Sequence, residues 1–323
     1  MHKLKYLTIS TILLLLLSVV GPSFDVAAAP LAAQAPVGLG TAGNFAVLAG
    51  SAVNDSNISV INTGNVGLSP AAWPPAPALT CAEVVSGTIY SVDASGPVPC
   101  TVTNPGLLTI AKNDLTTAYG DAAGRTPFTT LVAGDNQLGG QTLLPAVYRF
   151  GGATTANLIG TLTLDAQGDP NAVFIFQATS TLVTASASSV TFLNAVSCNV
   201  FWQVTSSATL GTGTNFNGTI MADASITDNG GSTVTGRLLA STAAVTLNDT
   251  TITIPVCATT TTGGTTTTGG EETSSFSVSG LPNTGGAPIR EEFPWNLVIV
   301  AGLSAIAVGL GVRSYRRTHL PKQ

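Results

Sequence analysis

The sequence predicts a mainly β chain, a β-solenoid of triangular section with one long α-helix packed alongside. Three observations carry that prediction. A polar-apolar-any triplet recurs between residues 161 and 248, as Thr161-Leu162-Thr163, Thr181-Leu182-Val183, Thr209-Leu210-Gly211, Ser225-Ile226-Thr227 and Thr246-Leu247-Asn248. Short apolar runs alternate with the triplets: Ala172 to Gln177 (AVFIFQ), Val200 to Val204 (VFWQV), Thr219 to Ala222 (TIMA) and Arg237 to Ala240 (RLLA), each broken by Gly, Asn or Asp. A single helical period is legible, between Asn104 and Gly124.

In chain order, the first element is a secretion signal over residues 1–28. His2, Lys3 and Lys5 make a basic start, Leu7 to Val20 an apolar run, and Val26-Ala27-Ala28 a small-residue cleavage site. Gly21-Pro22 interrupts the run before it reaches the roughly 20 residues a membrane span needs. Residues 36–257 then read as one domain of uniform composition. Its cysteines are Cys81, Cys100, Cys198 and Cys257, and an even number in an exported chain favours disulfides. Three connectivities are open, of which Cys81 with Cys100 and Cys198 with Cys257 is the expected one; neither pair has the spacing of a zinc knuckle.

Asn104 caps the predicted helix, Pro105 takes its first position, and Leu107, Leu108, Ala111, Leu115, Ala118, Tyr119 and Ala122 share one face before Gly124 ends it. Its polar side carries Lys112, Asp114 and Asp121, which argues for a packing helix rather than a membrane-surface one. In the triplets, side chains alternate faces, so the central Leu or Ile points inward and the hydroxyls outward. The gap from Thr181 to Thr209 is the longest, and an insertion or a break in the order of turns is expected there.

After the domain comes a Thr/Gly/Ser linker, 258–280, too poor in apolar residues to pack. The closing segment, 281–323, holds Leu281-Pro282-Asn283-Thr284-Gly285, an apolar stretch predicted as a transmembrane helix at 293–312, and a basic end with Arg313, Arg316, Arg317 and Lys322. That order resembles the LPxTG cell-wall sorting signal of Gram-positive surface proteins. The resemblance implies that a sortase-type transpeptidase cuts after Thr284 and joins the chain to the cell wall, or that the span tethers it to the membrane. Either way the domain is secreted and held on the extracellular side.

Composition removes several function classes. Only 8% of residues are charged and the net charge is −5, the opposite of a nucleic-acid binder. Both histidines, His2 and His319, lie in the terminal segments, so the domain lacks the means for Ser-His-Asp or Cys-His catalysis and for a His-ligated zinc site. No cofactor or metal is expected, and a monomer is.

Five segments carry a further resemblance: LGTAGNFAVLAGSAV (Leu39 to Val53), AYGDAAGR (Ala118 to Arg125), LTLDAQGDPNAVFIFQ (Leu162 to Gln177), CNVFWQVTSSATLGTGT (Cys198 to Thr214) and TVTGRLLA (Thr233 to Ala240). Together and in this order they resemble the secreted microbial ice-binding proteins, over nearly all of residues 38 to 256. The resemblance implies a right-handed, discontinuous β-solenoid with three faces and one helix beside it, and an ice crystal surface as partner. The ice-facing residues expected from the triplets are Thr161, Thr163, Thr181, Thr209, Gly211, Ser225, Thr227, Thr246 and Asn248. No catalytic residue is expected. Two alternatives stay open: an adhesin that binds a non-ice surface or glycan, and a polysaccharide-active enzyme in which Asp228 and Asp249 meet on adjacent turns.

Overall fold

Runs rich in Val, Ile, Thr and Phe, each closed by a turn-forming residue, become short strands. The computed structural model describes residues 33–74, 79–131, 138–152 and 155–256. The predicted signal segment, Cys257, the linker and the sorting segment with its predicted span lie outside the described residues. The chain divides into Met1–Thr260 and Thr261–Gln323, and the described residues all belong to the first unit. Among them, no helix is long and apolar enough to cross a membrane.

The first half contains β1 (Phe45–Ala49), β2 (Val53–Asp55), β3 (Val60–Thr63), β4 (Asn65–Leu68), β5 (Ile89–Ser91) and β6 (Thr101–Thr103), followed by α1 (Pro105–Gly124). Then come β7 (Thr129–Leu131), β8 (Thr142–Leu143), β9 (Val147–Phe150), β10 (Ala156–Leu158), β11 (Thr161–Asp165), β12 (Phe174–Ala178), β13 (Leu182–Thr184) and β14 (Ser189–Leu193). Last are β15 (Val200–Val204), β16 (Ala208–Leu210), β17 (Asn215–Ala222), β18 (Ile226–Asp228), β19 (Thr233–Ala240), β20 (Val245–Leu247) and β21 (Thr251–Thr253).

Parallel pairing sorts these strands into three ladders. The first runs β6-β5-β4-β1-β19-β17-β15-β12-β9-β7; the second runs β8-β11-β14-β17-β19-β21-β3 and joins the first through β17 and β19. The third is a separate six-stranded sheet, β10-β13-β16-β18-β20-β2. Each coil of chain crosses the third ladder, then the second, then the first. In β17 and β19 the last corner is turned inside one strand. Gly218 takes φ +113°, and a Cβ on Gly236 would lie 1.8 Å from the Gly218 carbonyl oxygen, so neither corner admits a side chain.

Of the two outcomes expected at the long gap, an insertion is found and a break in the order of turns is not. Across the long gap, Leu182 pairs with Ala208 and Val183 with Thr209, so β13 and β16 are direct neighbours. The extra residues widen the corner at 194–199, where Ser197–Asn199 form a 3-10 turn. The break lies elsewhere: β1, β2 and β3 pair with β19, β20 and β21 through Val47 with Leu238, Val53 with Val245 and Val60 with Thr251. The opening coil is thus stacked on the closing one, and α1 leads the chain from the end of the first six strands to the start of the rest.

α1 forms as its sequence predicts. The Asn104 side chain accepts the Leu107 N–H at 3.0 Å, and Leu108, Ala111, Leu115, Ala118 and Ala122 are buried against Phe45, Leu48, Val147, Ile175, Phe201, Met221 and Leu239 of the first ladder. Its polar side also has work. Lys112 donates to the Ala240 and Ser241 carbonyls at 2.9 and 2.5 Å, and Asp114 accepts the Thr41 N–H at 2.7 Å. Burial pushes the Lys112 ammonium down to about 8. At the other end Gln177 donates to the Ala122 and Arg125 carbonyls, satisfying the helix terminus.

Between the ladders the core is apolar, with aromatic rings stacked along it: Tyr148 on Phe176 at 5.5 Å, Phe176 on Trp202 at 4.0 Å, Trp202 near Phe216 at 5.2 Å. Cys81 and Cys100 form the expected disulfide. Cys198 is not free; its expected partner, Cys257, lies outside the described residues.

Candidate functional site

The third ladder is the most regular surface of the domain. Every one of its strands reads buried, half-buried, buried. The outer residues of each strand point inward, so a column of middle residues faces out: Asn157, Val183, Thr209, Thr227, Thr246 and Asn54, in unbroken register. Two residues earlier on each rung stands a second half-buried column, Thr155, Thr181, Ser207, Ser225, Ala244 and Ala52. The two columns contain no charged residue.

Hydrogen bonds along the ladder hold this grid in place. Thr181 donates to Thr155 at 2.9 Å, Ser225 to Ser207 at 2.9 Å, and Asn54 to Thr246 at 3.4 Å. The carbonyls of Thr181, Ser207, Ser225, Ala244 and Ala52 each accept an N–H from the neighbouring rung, at 2.7 to 3.1 Å. Short side chains on such a backbone lose little freedom when a ligand arrives.

The inner corner beside this ladder is polar and continuous. Buried Asp228 accepts from Ser232 and Thr250, both at 2.5 Å, and the Thr250 N–H donates to Ser59 Oγ at 3.0 Å. Ser59 in turn donates through Oγ to Asp55 and through its N–H to both Asp55 and Glu83. Burial, and then the hydrogen bond to Glu83, push the Asp55 carboxyl up to about 6. Burial works the same way on Glu83, but hydrogen bonds from Asp55 and Thr80 outweigh it and hold that carboxyl below its ordinary value. Below about pH 6 the proton of this pair therefore resides on Asp55.

The expected site residues divide between surfaces. Thr181, Thr209, Ser225, Thr227 and Thr246 share the third ladder, Thr209, Thr227 and Thr246 in its first column, Thr181 and Ser225 in its second. Gly211 and Asn248 follow the strands and lie at the corner, where Gly211 is buried and Asn248 bonds Asn57 and the Asn229 carbonyl. Thr161 and Thr163 belong to β11 on the second ladder, in register with Ser189 and Thr191. The single face expected from the triplets is corrected accordingly: identical triplets occupy different positions along a coil. In Thr209-Leu210-Gly211 and Thr246-Leu247-Asn248 the polar residue is the middle of a strand, whereas in Ser225-Ile226-Thr227 it precedes one.

The second ladder carries its own outward pairs: Thr161 and Thr163, Ser189 and Thr191, Asn215 and Asn217, Thr233 and Thr235, Thr251 and Thr253. It is less uniform. Its strands vary in length, the register shifts between Ile252 and Thr253, and Asn217 is bound to the Val190 carbonyl and Ser197 rather than held free. The proposed carboxylate pair does not form, because Asp228 faces the interior while Asp249 is exposed at a corner with φ +51°.

Sequence reasoning missed Thr155, Asn157, Ser207, Asn54 and the second-column alanines. The signal was present: an outward Thr between two inward residues, in Ala208-Thr209-Leu210, Ile226-Thr227-Asp228 and Val245-Thr246-Leu247, repeats every 18 or 19 residues.

Comparison with known proteins places the chain among relatives that share this architecture. A family model described as Ice-binding-like matches residues 47–253. The chain is 41% identical to an ice-binding protein of Colwellia sp. over 71% of its own length and 86% of the relative's, and 44% identical to one of Nostoc sp. (strain HG1) over 65% and 71%. Solved structures align as well, among them the DUF3494 domain of Shewanella frigidimarina ice-binding protein 1 (TM-score 0.60, 30% identity, 69% of this chain and 99% of that one) and an ice-binding protein from an Antarctic biological consortium (0.58, 36%, 68% and 92%).

Proposed function

Because the chain belongs to the Ice-binding-like family, we propose that it is an ice-binding, antifreeze protein built as a right-handed, discontinuous β-solenoid, and that it adsorbs to ice through the third ladder. One observation carries the choice of face: the uncharged, hydrogen-bonded grid of Thr155 to Ala52 and Asn157 to Asn54, whose register is unbroken over the whole six-stranded sheet.

The chemistry follows from the spacing. Neighbouring strands lie about 4.7 to 4.9 Å apart and residues two apart on a strand about 6.6 Å, a mesh commensurate with oxygen repeats in ice. Thr methyl groups favour cage-like water, and hydroxyls with backbone groups anchor it. Water ordered this way merges with a crystal surface, and adsorbed molecules force ice to grow between them as curved fronts, which lowers the local freezing point. Charged side chains, which order water around themselves instead, are absent from the grid.

The sorting segment supports display on the cell envelope, through sortase processing at Thr284 or through the apolar span. The signal-like start, the linker and the sorting segment support a domain displayed outside the cell. The test is thermal hysteresis and ice-crystal shaping on the oxidised domain 36–257 beside two folded variants. Thr209→Tyr, at the centre of the third ladder, removes most of the hysteresis; Thr235→Tyr, on the second ladder, leaves most of it. The reverse order moves the site to the second ladder, and inactivity of the parent domain ends the ice reading in favour of a non-ice surface or glycan.

A further inference from the structure

We propose that the cavity beside Arg237, away from the ice face, binds a small carboxylate monoanion. The cavity measures about 580 Å³ and is lined by Gly43, Asn44, Asn65, Ser86 and Arg237, with Pro255 and Val256, which follow the last strand, along one side. Arg237 is only 7% exposed. Its Nε donates to the Gly43 carbonyl at 2.8 Å and its Nη1 to Thr219 Oγ1 at 3.4 Å. Among the described residues no carboxylate reaches it, and its Nη2 has no partner.

The other basic side chains of the domain are better provided for. Arg125 pairs with Asp121 at 2.7 Å; Lys112 has two carbonyls; Arg149 donates to Gln177 and lies 4.0 Å from the centre of the Phe128 ring. A buried guanidinium without a counter-charge is costly, and burial alone draws Arg237 below its ordinary value. An anion in the cavity removes that cost.

The lining defines its chemistry. No acidic residue lines the cavity, while Asn44, Asn65 and Ser86 are neutral donors; Asn65 already accepts the Thr88 N–H through Oδ1, which leaves its Nδ2 to donate. A single guanidinium balances a single negative charge, and the planar edge that Nη1 and Nη2 present matches the two oxygens of a carboxylate. The walls come from both halves of the seam: residues 43–44, 64–65 and 86–87 from the opening coils, Arg237 and residues 254–256 from the closing ones. A bound anion therefore ties the opening coils to the closing one and stabilises the folded state by linkage.

The probe is trifluoroacetate, followed by fluorine NMR on the full chain in a non-ionic detergent. The expected result is saturable one-to-one binding, displaced by acetate and weakened at least tenfold in Arg237→Gln and in Ser86→Trp, which blocks the exposed mouth of the cavity without touching the guanidinium. Acetate also raises the thermal midpoint above that in chloride at equal ionic strength. A folded parent that shows no saturable binding overturns the site. Undiminished binding in folded Arg237→Gln does the same, and if that variant does not fold, undiminished binding in Ser86→Trp decides against it. None of these readouts depends on ice.

Discussion

Asp55 shows how a single buried group sets the response of the domain to pH. Its folded value, about 6, lies above the ordinary 3.8, so the folded state holds the proton more tightly than the unfolded chain does. That contribution to stability is fully present below about 3.8 and is lost as pH rises through 6. Glu83, held low, works in the opposite sense as acid is added, its contribution being lost as pH falls through its folded value. Between pH 5 and 7 the parent's thermal midpoint is therefore expected to fall. Asp55→Asn, which keeps a neutral partner for Glu83, flattens that slope; an unchanged slope would remove Asp55 as its cause. Gly236 is a second residue with a sharp expectation. A Cβ there meets the Gly218 carbonyl oxygen at 1.8 Å, so Gly236→Ala costs more than the roughly 1 kcal/mol of ordinary backbone effects and lowers the urea midpoint well beyond a surface Gly→Ala change. The glycines were visible in the sequence. What made them obligatory, the approach of the next coil, was not.

Among the elements, α1 was the most legible, because its cap, its proline and its apolar face are all local signals. Asn104→Ala removes the acceptor for the Leu107 N–H and is expected to cost about 1 kcal/mol by chemical denaturation. Apolar strands were legible as segments, while their partners were not. Phe176 sits between Tyr148 and Trp202, and Phe176→Ala opens a cavity in the middle of the stack, worth about 3 to 5 kcal/mol in the same measurement. The triplets illustrate the limit. Alternation correctly turned Leu162, Leu182, Leu210, Ile226 and Leu247 inward, yet three residues with the same pattern fit a strand in either of two registers, and on either of two ladders.

At the scale of the whole molecule, the seam governs. Neighbours across it, such as Asn62 and Thr253, are 191 residues apart, so the last coil closes against the first only when everything between is in place. In an uninterrupted stack, removing the final coil merely shortens the array. Here a chain ending at Ser241, without β20 and β21, strips β2 and β3 of their partners and exposes the polar network of Asp55 and Ser59. It is expected to lose its cooperative unfolding transition by circular dichroism, and retention of that transition at near-parental temperature would show the seam to be dispensable. The same architecture bears on the proposed function: the third ladder reaches six strands because β2 pairs with β20.

The sequence by itself determined the strand and helix segments, the inward sense of the central residue of each triplet and the family, because each depends on local periodicity or on residues close along the chain; it left three disulfide connectivities open, and the structure forms the expected Cys81–Cys100 bridge. Tertiary structure alone decided which coils are neighbours, which hydroxyls share a face, and where Asp55, Glu83 and Arg237 are buried. Parallel pairing between coils is set by packing of the shared core and by closure of the last coil on the first, and neither leaves a mark within any single stretch of sequence.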